Sequence, residues 1–158
     1  MSMKVAVLDN LRSVYNVGSI FRTANASGIQ KIILCGTTPT PLDKKGERRK
    51  DFAKVALGAE DIVMWEYKED IRNVIEELRK NGYYIIAFEQ ATKSVDYKEV
   101  SAEGKENVAF VIGPEVTGIT EEILNECDVI AEIPMLGTKE SLNVTIAFGI
   151  GVYRILGL

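Results

Sequence analysis

The segment Asn16 to Asn25 (NVGSIFRTAN) is the first in which residue types and spacing could support chemistry. Asn16 is a suitable helix N-cap, and apolar residues then recur at i, i+3, i+4 and i+7 up to Gly28, which predicts an amphipathic helix. This pattern places Arg22 beside the buried stripe, from where a guanidinium could reach the ends of neighbouring strands. A solvated arginine at a helix edge is the alternative interpretation.

A second candidate segment, Val111 to Ile119 (VIGPEVTGI), runs from an apolar strand into a loop bounded by Gly113 and Gly118, before a helix that Thr120 can cap. The glycine spacing matches a phosphate-binding P-loop, but the Lys-Ser/Thr pair that engages phosphate and magnesium is missing, which argues against that function. The glycines permit close approach of a ligand, and Glu115 could accept a hydrogen bond from a hydroxyl or a cation. A tight turn with an exposed glutamate fits the same residues.

The third segment, Ile133 to Val144 (IPMLGTKESLNV), is a polar loop between a strand and the last helix. Ser141 or Asn143 caps that helix, whose first-turn amides favour anions or carbonyl oxygens. The helix runs to about Leu156 and is apolar on several sides, which favours burial against a second subunit as well as the sheet; burial within one monomer is the alternative. One face has Val144, Ala147, Phe148, Gly151 and Ile155, and another has Ile146, Ile150 and Val152.

The composition restricts the chemistry. The chain has no histidine, which excludes histidine bases, triads and histidine-bearing zinc sites. Cys35 and Cys127 lack CxxC spacing, and we expect both to be reduced. With 46% hydrophobic and 27% charged residues, we expect one folded domain over residues 1–158. No apolar run approaches the ~20 residues of a membrane span, and the N-terminus lacks a signal-peptide layout, so we expect a cytoplasmic location.

Five short apolar runs bounded by turn residues predict β-strands. Helical patterns lie between them, most clearly from Asp70 to Lys80, with Asn81-Gly82 as the stop signal. Strands without a polar face that alternate with helices indicate a mostly parallel sheet with helices on both faces, a Rossmann-like α/β domain. Ligands of such sheets bind at the carboxyl ends of the strands. The predicted strands are Lys4 to Leu8, Lys31 to Cys35, Tyr83 to Phe88, Val108 to Ile112 and Val129 to Ile133.

In their order and spacing the three segments resemble the signature motifs of the TrmH (SpoU) family of SPOUT methyltransferases. The motifs are N-x-G-x-x-x-R, G-x-E-x-x-G after a strand, and I-P-M-x-x-x-x-x-S-L-N-V at the start of the last helix. The intervening segment GYYIIAFEQATKSVDY is also similar to members of this family, so the resemblance covers nearly the whole chain.

The resemblance implies a C-terminal portion tied in a deep trefoil knot, an exception to the rule against threaded chains. It also implies that S-adenosylmethionine binds in the knot, that members act as homodimers with the first-motif and last helices near the interface, and that no metal is required. The residues implied to surround the cofactor are Phe88, Glu89, Gly113, Glu115, Gly118, Ile133, Met135, Leu136, Ser141, Leu142 and Asn143.

The reaction implied by the resemblance is methyl transfer to a ribose 2′-hydroxyl of RNA, and this hydroxyl must lose or share its proton as it attacks. Arg22 matches the family arginine to which the role of base is assigned, although a guanidinium normally stays protonated. A less demanding role is that Arg22 binds a neighbouring phosphate and orients the hydroxyl. Glu115, Ser141 and Asn143 match polar positions that shape the site, and Asn16 supports the first motif.

A net charge of -4 means that RNA binding requires a local basic surface. The segment from Lys44 to Lys54 supplies one, and Arg12 and Arg22 would extend it; an ordinary exposed charged helix face is the alternative. The Gly-Pro-Glu second motif and the small size resemble members that modify the tRNA wobble position, so we expect tRNA rather than rRNA as the partner. The predicted RNA-binding residues are Arg12, Arg22, Lys44, Lys45, Arg48, Arg49 and Lys50.

Two other functions compete with methyl transfer. A non-catalytic RNA-binding or assembly module would retain the fold without turnover, but the presence of all the polar motif residues argues against it. A nucleotide-binding oxidoreductase would need a glycine fingerprint after the first strand, and Asp9-Asn10-Leu11-Arg12 contains none.

Overall fold

A seven-stranded, wholly parallel sheet forms the centre of the computed structural model, which describes residues 2–158. The strand order is β3-β2-β1-β6-β4-β7-β5. Because all strands are parallel, the loops after β4, β6 and β7, three neighbours in the sheet, meet at one edge. The strands are β1 (Met3–Asp9), β2 (Lys31–Cys35), β3 (Met64–Lys68), β4 (Tyr84–Phe88), β5 (Val95–Asp96), β6 (Asn107–Ile112) and β7 (Val129–Glu132).

Five α-helices cover both faces of the sheet, as the sequence predicts. α1, α2 and α5 bury their apolar residues in one cluster, and α3 and α4 bury theirs in a second cluster on the opposite face. Short 3₁₀ turns at Ala59–Asp61 and Tyr97–Glu99 complete the regular structure. The helices are α1 (Val14–Ser27), α2 (Lys50–Ala56), α3 (Ile71–Lys80), α4 (Glu121–Glu126) and α5 (Val144–Leu156).

The five predicted strands correspond to β1, β2, β4, β6 and β7, with ends that differ by at most one residue. The sequence analysis missed β3 and β5, which lie at the two edges of the sheet. β3 (MWEYK) has mostly exposed or half-buried side chains, and β5 has two residues, so neither forms a continuous apolar run. Edge strands lack the continuous apolar pattern that predicts a strand, because neighbouring elements cover only part of their surface.

The prediction that Asn16 caps α1 is wrong. The helix begins at Val14, and Ser13 is its N-cap, with Ser13 Oγ accepting the N–H of Asn16 at 3.1 Å. Ser and Asn are both good caps, and the helix gains one more turn by using the earlier one. For α5 the sequence left Ser141 and Asn143 as alternative N-caps. The structure shows that Asn143 is the N-cap, since its side chain accepts the N–H of Thr145 at 2.9 Å.

α5 packs against β4 and β6 through a close contact between Gly151 and the ring of Phe88. A Cβ on Gly151 would overlap that ring, so the helix backbone can lie this near the strand only at a glycine. Val152, which the sequence analysis groups with Ile146 and Ile150 on a second apolar face, is fully buried and belongs with Phe148 and Ile155. Ile146 and Ile150 are 52% and 40% exposed, so α5 does carry an outward apolar stripe.

The trefoil knot stays a prediction. Two hydrogen bonds join the loops after β4, β6 and β7: Glu89 accepts the N–H of Ile119, and Gln90 donates to the Glu140 carbonyl. Within residues 2–158 there is no helix of the length and apolar character needed to cross a membrane.

Asp9, the last residue of β1, is a buried carboxyl on the α3 side of the sheet. Burial, and secondly the nearby carboxylate of Asp70, raises the pKa of Asp9 above its ordinary range. Its Oδ1 accepts one hydrogen bond, from Asn10 Nδ2 at 3.2 Å. Ionised Asp9 is therefore destabilising in the native state.

The Gly151→Ala substitution should lower the free energy of unfolding by about 1–3 kcal/mol, because the added methyl group must displace the Phe88 ring. Gly149→Ala on the same helix is the matched control: its Cβ would meet nothing nearer than Thr23 Cγ2 at 4.0 Å. Helix propensity should make this control neutral or stabilising. Urea denaturation followed by circular dichroism at fixed protein concentration gives the free energy of unfolding of both variants. Equal effects of the two substitutions would contradict the close contact.

The Asp9→Asn substitution should stabilise the protein at neutral pH and have little effect below about pH 4. Because the folded pKa of Asp9 is raised, the wild-type protein loses stability as the pH rises from the unfolded pKa to the folded one, and the variant escapes this loss. Asparagine retains the Oδ1 acceptor for Asn10. Denaturation midpoints from pH 3 to 8 test this, with exposed Glu103→Gln as the control; a pH-independent difference would refute the assignment.

Candidate functional site

A cavity of about 400 Å³ opens at the carboxyl ends of β4, β6 and β7 and is closed on one side by the first turns of α5. This is the edge of the sheet to which the second and third sequence segments lead. Its walls combine apolar side chains with a few polar ones, as in small-molecule sites. The lining residues are Phe88, Glu89, Gln90, Ile112, Gly113, Pro114, Glu115, Ala131, Ile133, Met135, Ser141, Leu142, Asn143, Val144, Ala147 and Phe148.

Nearly all residues predicted to surround a cofactor lie in this wall. The exceptions are Gly118 and Leu136. Gly118 lies behind the wall, where a Cβ would come within 2.7 Å of Glu89 Oε2, and Leu136 is 98% exposed at the loop tip. The sequence analysis missed several lining residues because they belong to strand ends and to α5, whose periodicity indicated only core packing. They are Gln90, Ile112, Pro114, Ala131, Val144, Ala147 and Phe148.

The cavity wall is negatively charged. It contains the carboxylates of Glu89 and Glu115 and no lysine or arginine. Glu115 Oε1 accepts a hydrogen bond from Asn16 Nδ2 at 3.1 Å, so the start of α1 is tied to the loop after β6. A wall of this charge favours a ligand that carries positive charge and disfavours phosphates.

Backbone packing fixes the shape of the loop after β6. Gly113 is buried, and a Cβ there would lie 2.5 Å from Ile119 Cγ1 and 2.8 Å from Ile119 N. Gly118 has φ +71°, and its N–H donates to the Pro114 carbonyl at 2.9 Å. The two glycines thus close a tight loop whose backbone faces the cavity.

Arg22 does not line the cavity. It is exposed, and it lies about 150° around α1 from the centre of the stripe formed by Val17, Ile20, Phe21 and Ala24. The prediction that Arg22 lies beside this stripe is wrong, because at about 100° per residue its position falls nearly opposite the centre of the stripe. The contacts of α1 with α2 at Gly18 and with α5 leave this side of the helix exposed to solvent. Within residues 2–158 its guanidinium makes no ion pair.

The described residues offer no thiol that could serve as a base near neutral pH. Burial raises the pKa of Cys35 and of Cys127 to about 12, with smaller contributions from neighbouring carboxylates. Both cysteines are free thiols, as predicted. In residues 2–158 no group of three potential ligand side chains is arranged to hold a metal ion.

The basic segment from Lys44 to Lys54 is mostly a loop, and α2 begins only at Lys50. Two of its arginines are neutralised: Arg48 pairs with Glu60 and Asp61, and Arg49 pairs with Asp51. The remaining exposed cations that form no ion pair within residues 2–158 are Lys44, Lys45, Lys50 and Lys54. The free positive charge of this surface is therefore smaller than the sequence indicates. Arg12, in the loop before α1, is also exposed.

The sequence and the fold match one family of proteins. The family model described as the SpoU rRNA Methylase family matches residues 3–153. A relative from Staphylococcus saprophyticus, named for the TrmH family of tRNA/rRNA methyltransferases, is 34% identical over 151 residues, which cover 96% of this chain and 57% of that protein. The chain thus spans little more than half the length of the curated relatives it matches.

Solved structures show the same similarity. The AdoMet-bound rRNA methyltransferase from Sinorhizobium meliloti aligns with a TM-score of 0.87 and 28% identity, over 98% of this chain and 56% of that one. A structure described as giving insight into 2-OH methylation of C/U34 on tRNA aligns with a TM-score of 0.79 and 26% identity, over 98% of this chain and 94% of that one.

Proposed function

The chain belongs to the SpoU rRNA methylase family, and from this premise we propose that it transfers a methyl group from S-adenosylmethionine to a ribose 2′-hydroxyl of RNA. The observation that carries the proposal is the cavity at the carboxyl ends of β4, β6 and β7, with two carboxylates and no cation in its wall. It lies where the family motifs converge. Similarity to an AdoMet-bound rRNA methyltransferase supports the choice of cofactor.

The residues of the cavity fit S-adenosylmethionine. This molecule carries a sulfonium and an ammonium group against one carboxylate, so its net charge is positive and complements Glu89 and Glu115. A dinucleotide, with its pyrophosphate, would meet two carboxylates without a compensating cation, which argues against the oxidoreductase alternative. The apolar side chains of Ile133, Leu142 and Ala147 would contact apolar parts of the cofactor, and the backbone of the loop after β6 would bind its polar groups.

When bound, the cofactor would supply an electrophilic methyl group at its sulfonium. The protein must then orient the hydroxyl and accommodate its proton. Since the chain has no histidine and its thiols are protonated at neutral pH, positioning must supply much of the rate. The free guanidinium of Arg22 is suited to bind a neighbouring phosphate and to orient the 2′-hydroxyl. The role of base that the family resemblance implies requires Arg22 as the neutral guanidine, which would take the hydroxyl proton and become guanidinium. Ser141 and Asn143 would shape the cavity that holds the cofactor.

Arg22 faces away from the cavity of its own chain, which bears on the oligomeric state. We propose a homodimer whose contact includes the exposed apolar residues of α5, Ile146, Ile150 and Tyr153. These residues follow the spacing i, i+4 and i+7 on one side of the helix. A two-fold contact near α1 and α5 would bring Arg22 of one protomer towards the cavity of its partner.

The proposed substrate is tRNA. A structure described for 2-OH methylation of C/U34 on tRNA matches this chain over 94% of its own length, whereas the rRNA methyltransferase match covers 56% of that protein. This similarity, together with the Gly-Pro-Glu second motif that resembles members that modify the tRNA wobble position, supports tRNA as the substrate. Lys44, Lys45 and Lys50, which lie outside the cavity wall, would bind phosphates of the RNA.

The test is incubation of the purified protein with methyl-labelled S-adenosylmethionine and separated tRNA and rRNA fractions. We expect label in tRNA. Cofactor binding without label in either fraction, in the presence of all cellular RNA, would favour a non-catalytic RNA-binding module, and failure to bind the cofactor would refute the proposal.

The Arg22→Ala substitution should lower methyl transfer by at least about a hundredfold, with the dissociation constant for S-adenosylmethionine changed less than about twofold, because Arg22 is not in the cavity wall. Single-turnover kinetics and calorimetry measure the two quantities. Arg79→Ala, an exposed arginine on α3 that pairs with Glu126, is the matched control and should keep full activity. Unchanged turnover of the Arg22 variant would remove this residue from the mechanism.

Replacing Lys44, Lys45 and Lys50 by glutamine should weaken tRNA binding and make its dependence on salt shallower by about 2 to 3 units of log Kd per log salt, if each lysine meets one phosphate. The charge-matched control replaces Lys80, Lys98 and Lys105, of which two are ion-paired and the third lies over the Tyr84 ring. Filter binding from 50 to 300 mM salt gives both slopes. An equal change of slope in the control would show that only net charge matters.

A further inference from the structure

A chain of three hydrogen bonds joins the two loops that bound the cavity, residues 113–120 after β6 and residues 133–143 after β7. Glu89 Oε2 accepts the N–H of Ile119 at 2.9 Å, and Glu89 Oε1 accepts the N–H of Gln90 at 2.9 Å. Gln90 Nε2 then donates to the Glu140 carbonyl at 2.8 Å. Glu89 therefore holds the loop after β6, and Gln90 holds the loop after β7. The Glu89 carboxylate also fixes the backbone of Gln90.

Two hydrogen bonds hold the Glu89 carboxylate in place. Both of its oxygens accept backbone N–H groups, and hydrogen bonds to an ionised acceptor are stronger than neutral ones. The backbone of Glu89 is itself anchored to the sheet, because its N–H donates to the Ala131 carbonyl at 3.2 Å. Gly118 leaves room for the carboxylate, since any Cβ at that position would lie 2.7 Å from Glu89 Oε2.

The loop after β7 depends strongly on Gln90. Within residues 2–158, the bond from Gln90 Nε2 is the only hydrogen bond that the structure gives to residues 134–142. Most of these residues are exposed, including Leu136 and Ser141. Few other interactions restrain this loop, so the position of Gln90 decides where it lies.

We propose that Glu89 and Gln90 are positioning residues that couple the two loops, so that ordering of one loop orders the other. The inference deepens the proposed function and rests on it in one respect: the loops are taken to hold S-adenosylmethionine. The coupling itself is a property of the free protein. It makes the cavity a single unit in which contact of a ligand with the loop after β6 also positions Ser141 and Leu142.

The test is hydrogen–deuterium exchange and backbone NMR relaxation of the free protein with three variants. Glu89→Gln places an amide N–H₂ against one of the backbone donors, and Gln90→Ala removes the donor to Glu140.

In the loop after β6 the N–H groups of Gly118 and Ile119 are hydrogen-bonded, and each variant should raise their exchange by at least about tenfold. Within residues 2–158, no N–H group of residues 134–142 donates a hydrogen bond, so the readout for that loop is the backbone NMR order parameter, which each variant should lower. Thr92→Ala, an exposed residue of the same segment outside the cavity wall, is the control and should exchange as the wild type.

Calorimetry with S-adenosylmethionine gives a second readout. Each single variant should raise Kd by about tenfold, and the double variant should bind little worse than either single one, because both break the same chain of bonds. The coupling would be overturned if Gln90→Ala left the exchange of Gly118 and Ile119 unchanged, or if Glu89→Gln left the order parameters of residues 134–142 unchanged. A double variant whose loss of affinity is the product of the single losses would also overturn it. Gln90→Ala alters one exposed side chain, so it provides the test even if Glu89→Gln does not fold.

The two proposals fail in different ways. If the wild-type protein does not bind S-adenosylmethionine, the proposed function falls, while the exchange and order-parameter data still decide whether the loops are coupled. If the wild type binds the cofactor but each variant changes only the loop that it contacts, the coupling falls and the proposed function stands.

Discussion

The packing of α5 onto β4, made possible by the contact of Gly151 with the Phe88 ring, is the constraint on which the candidate site depends. It places the first turn of the last helix at the carboxyl ends of three neighbouring parallel strands. Val144, Ala147 and Phe148 then form one wall of a cavity whose other walls are the loops after β4, β6 and β7. Without this contact the same loops would lie on an open sheet edge and would enclose no small molecule. The helix that closes the cavity also presents an apolar stripe outwards, so one element connects the cofactor site with the proposed subunit interface.

The charge of the cavity and the charge of the rest of the surface have different roles. The wall contains two carboxylates and no cation, which suits a cationic methyl donor, while the lysines proposed to bind RNA lie outside it. The basic residues in and just after the loop before α2 fall into two groups, those that form ion pairs and those that are free to bind phosphate. Arg48 and Arg49 are occupied by acidic neighbours, whereas Lys44, Lys45 and Lys50 are not. A chain with net charge -4 can therefore still present a local surface for phosphate.

The central strands were predictable because each is an apolar, β-branched run buried on both faces. β3 and β5 were not, since an edge strand with exposed side chains has no such signal. The cavity was predictable from the motifs, but the start of α1 was not, because Ser13 and Asn16 are equally good caps by residue type. The position of Arg22 was predictable but was predicted wrongly. At about 100° per residue, Arg22 lies nearly opposite the four apolar positions, which helical periodicity alone gives. What the sequence does not show is that Gly18 and Thr23 lie at the contacts of α1 with α2 and α5.

The central claim is that the methyl group goes to a ribose 2′-oxygen. The most direct measurement is complete alkaline hydrolysis of tRNA that the protein has labelled with S-adenosylmethionine, followed by separation of the products. Alkaline cleavage needs a free 2′-hydroxyl next to the phosphodiester, so a methylated ribose leaves an alkali-stable dinucleotide. The account predicts that the label appears in such dinucleotides; label in mononucleotides would show methylation of a base and would contradict it.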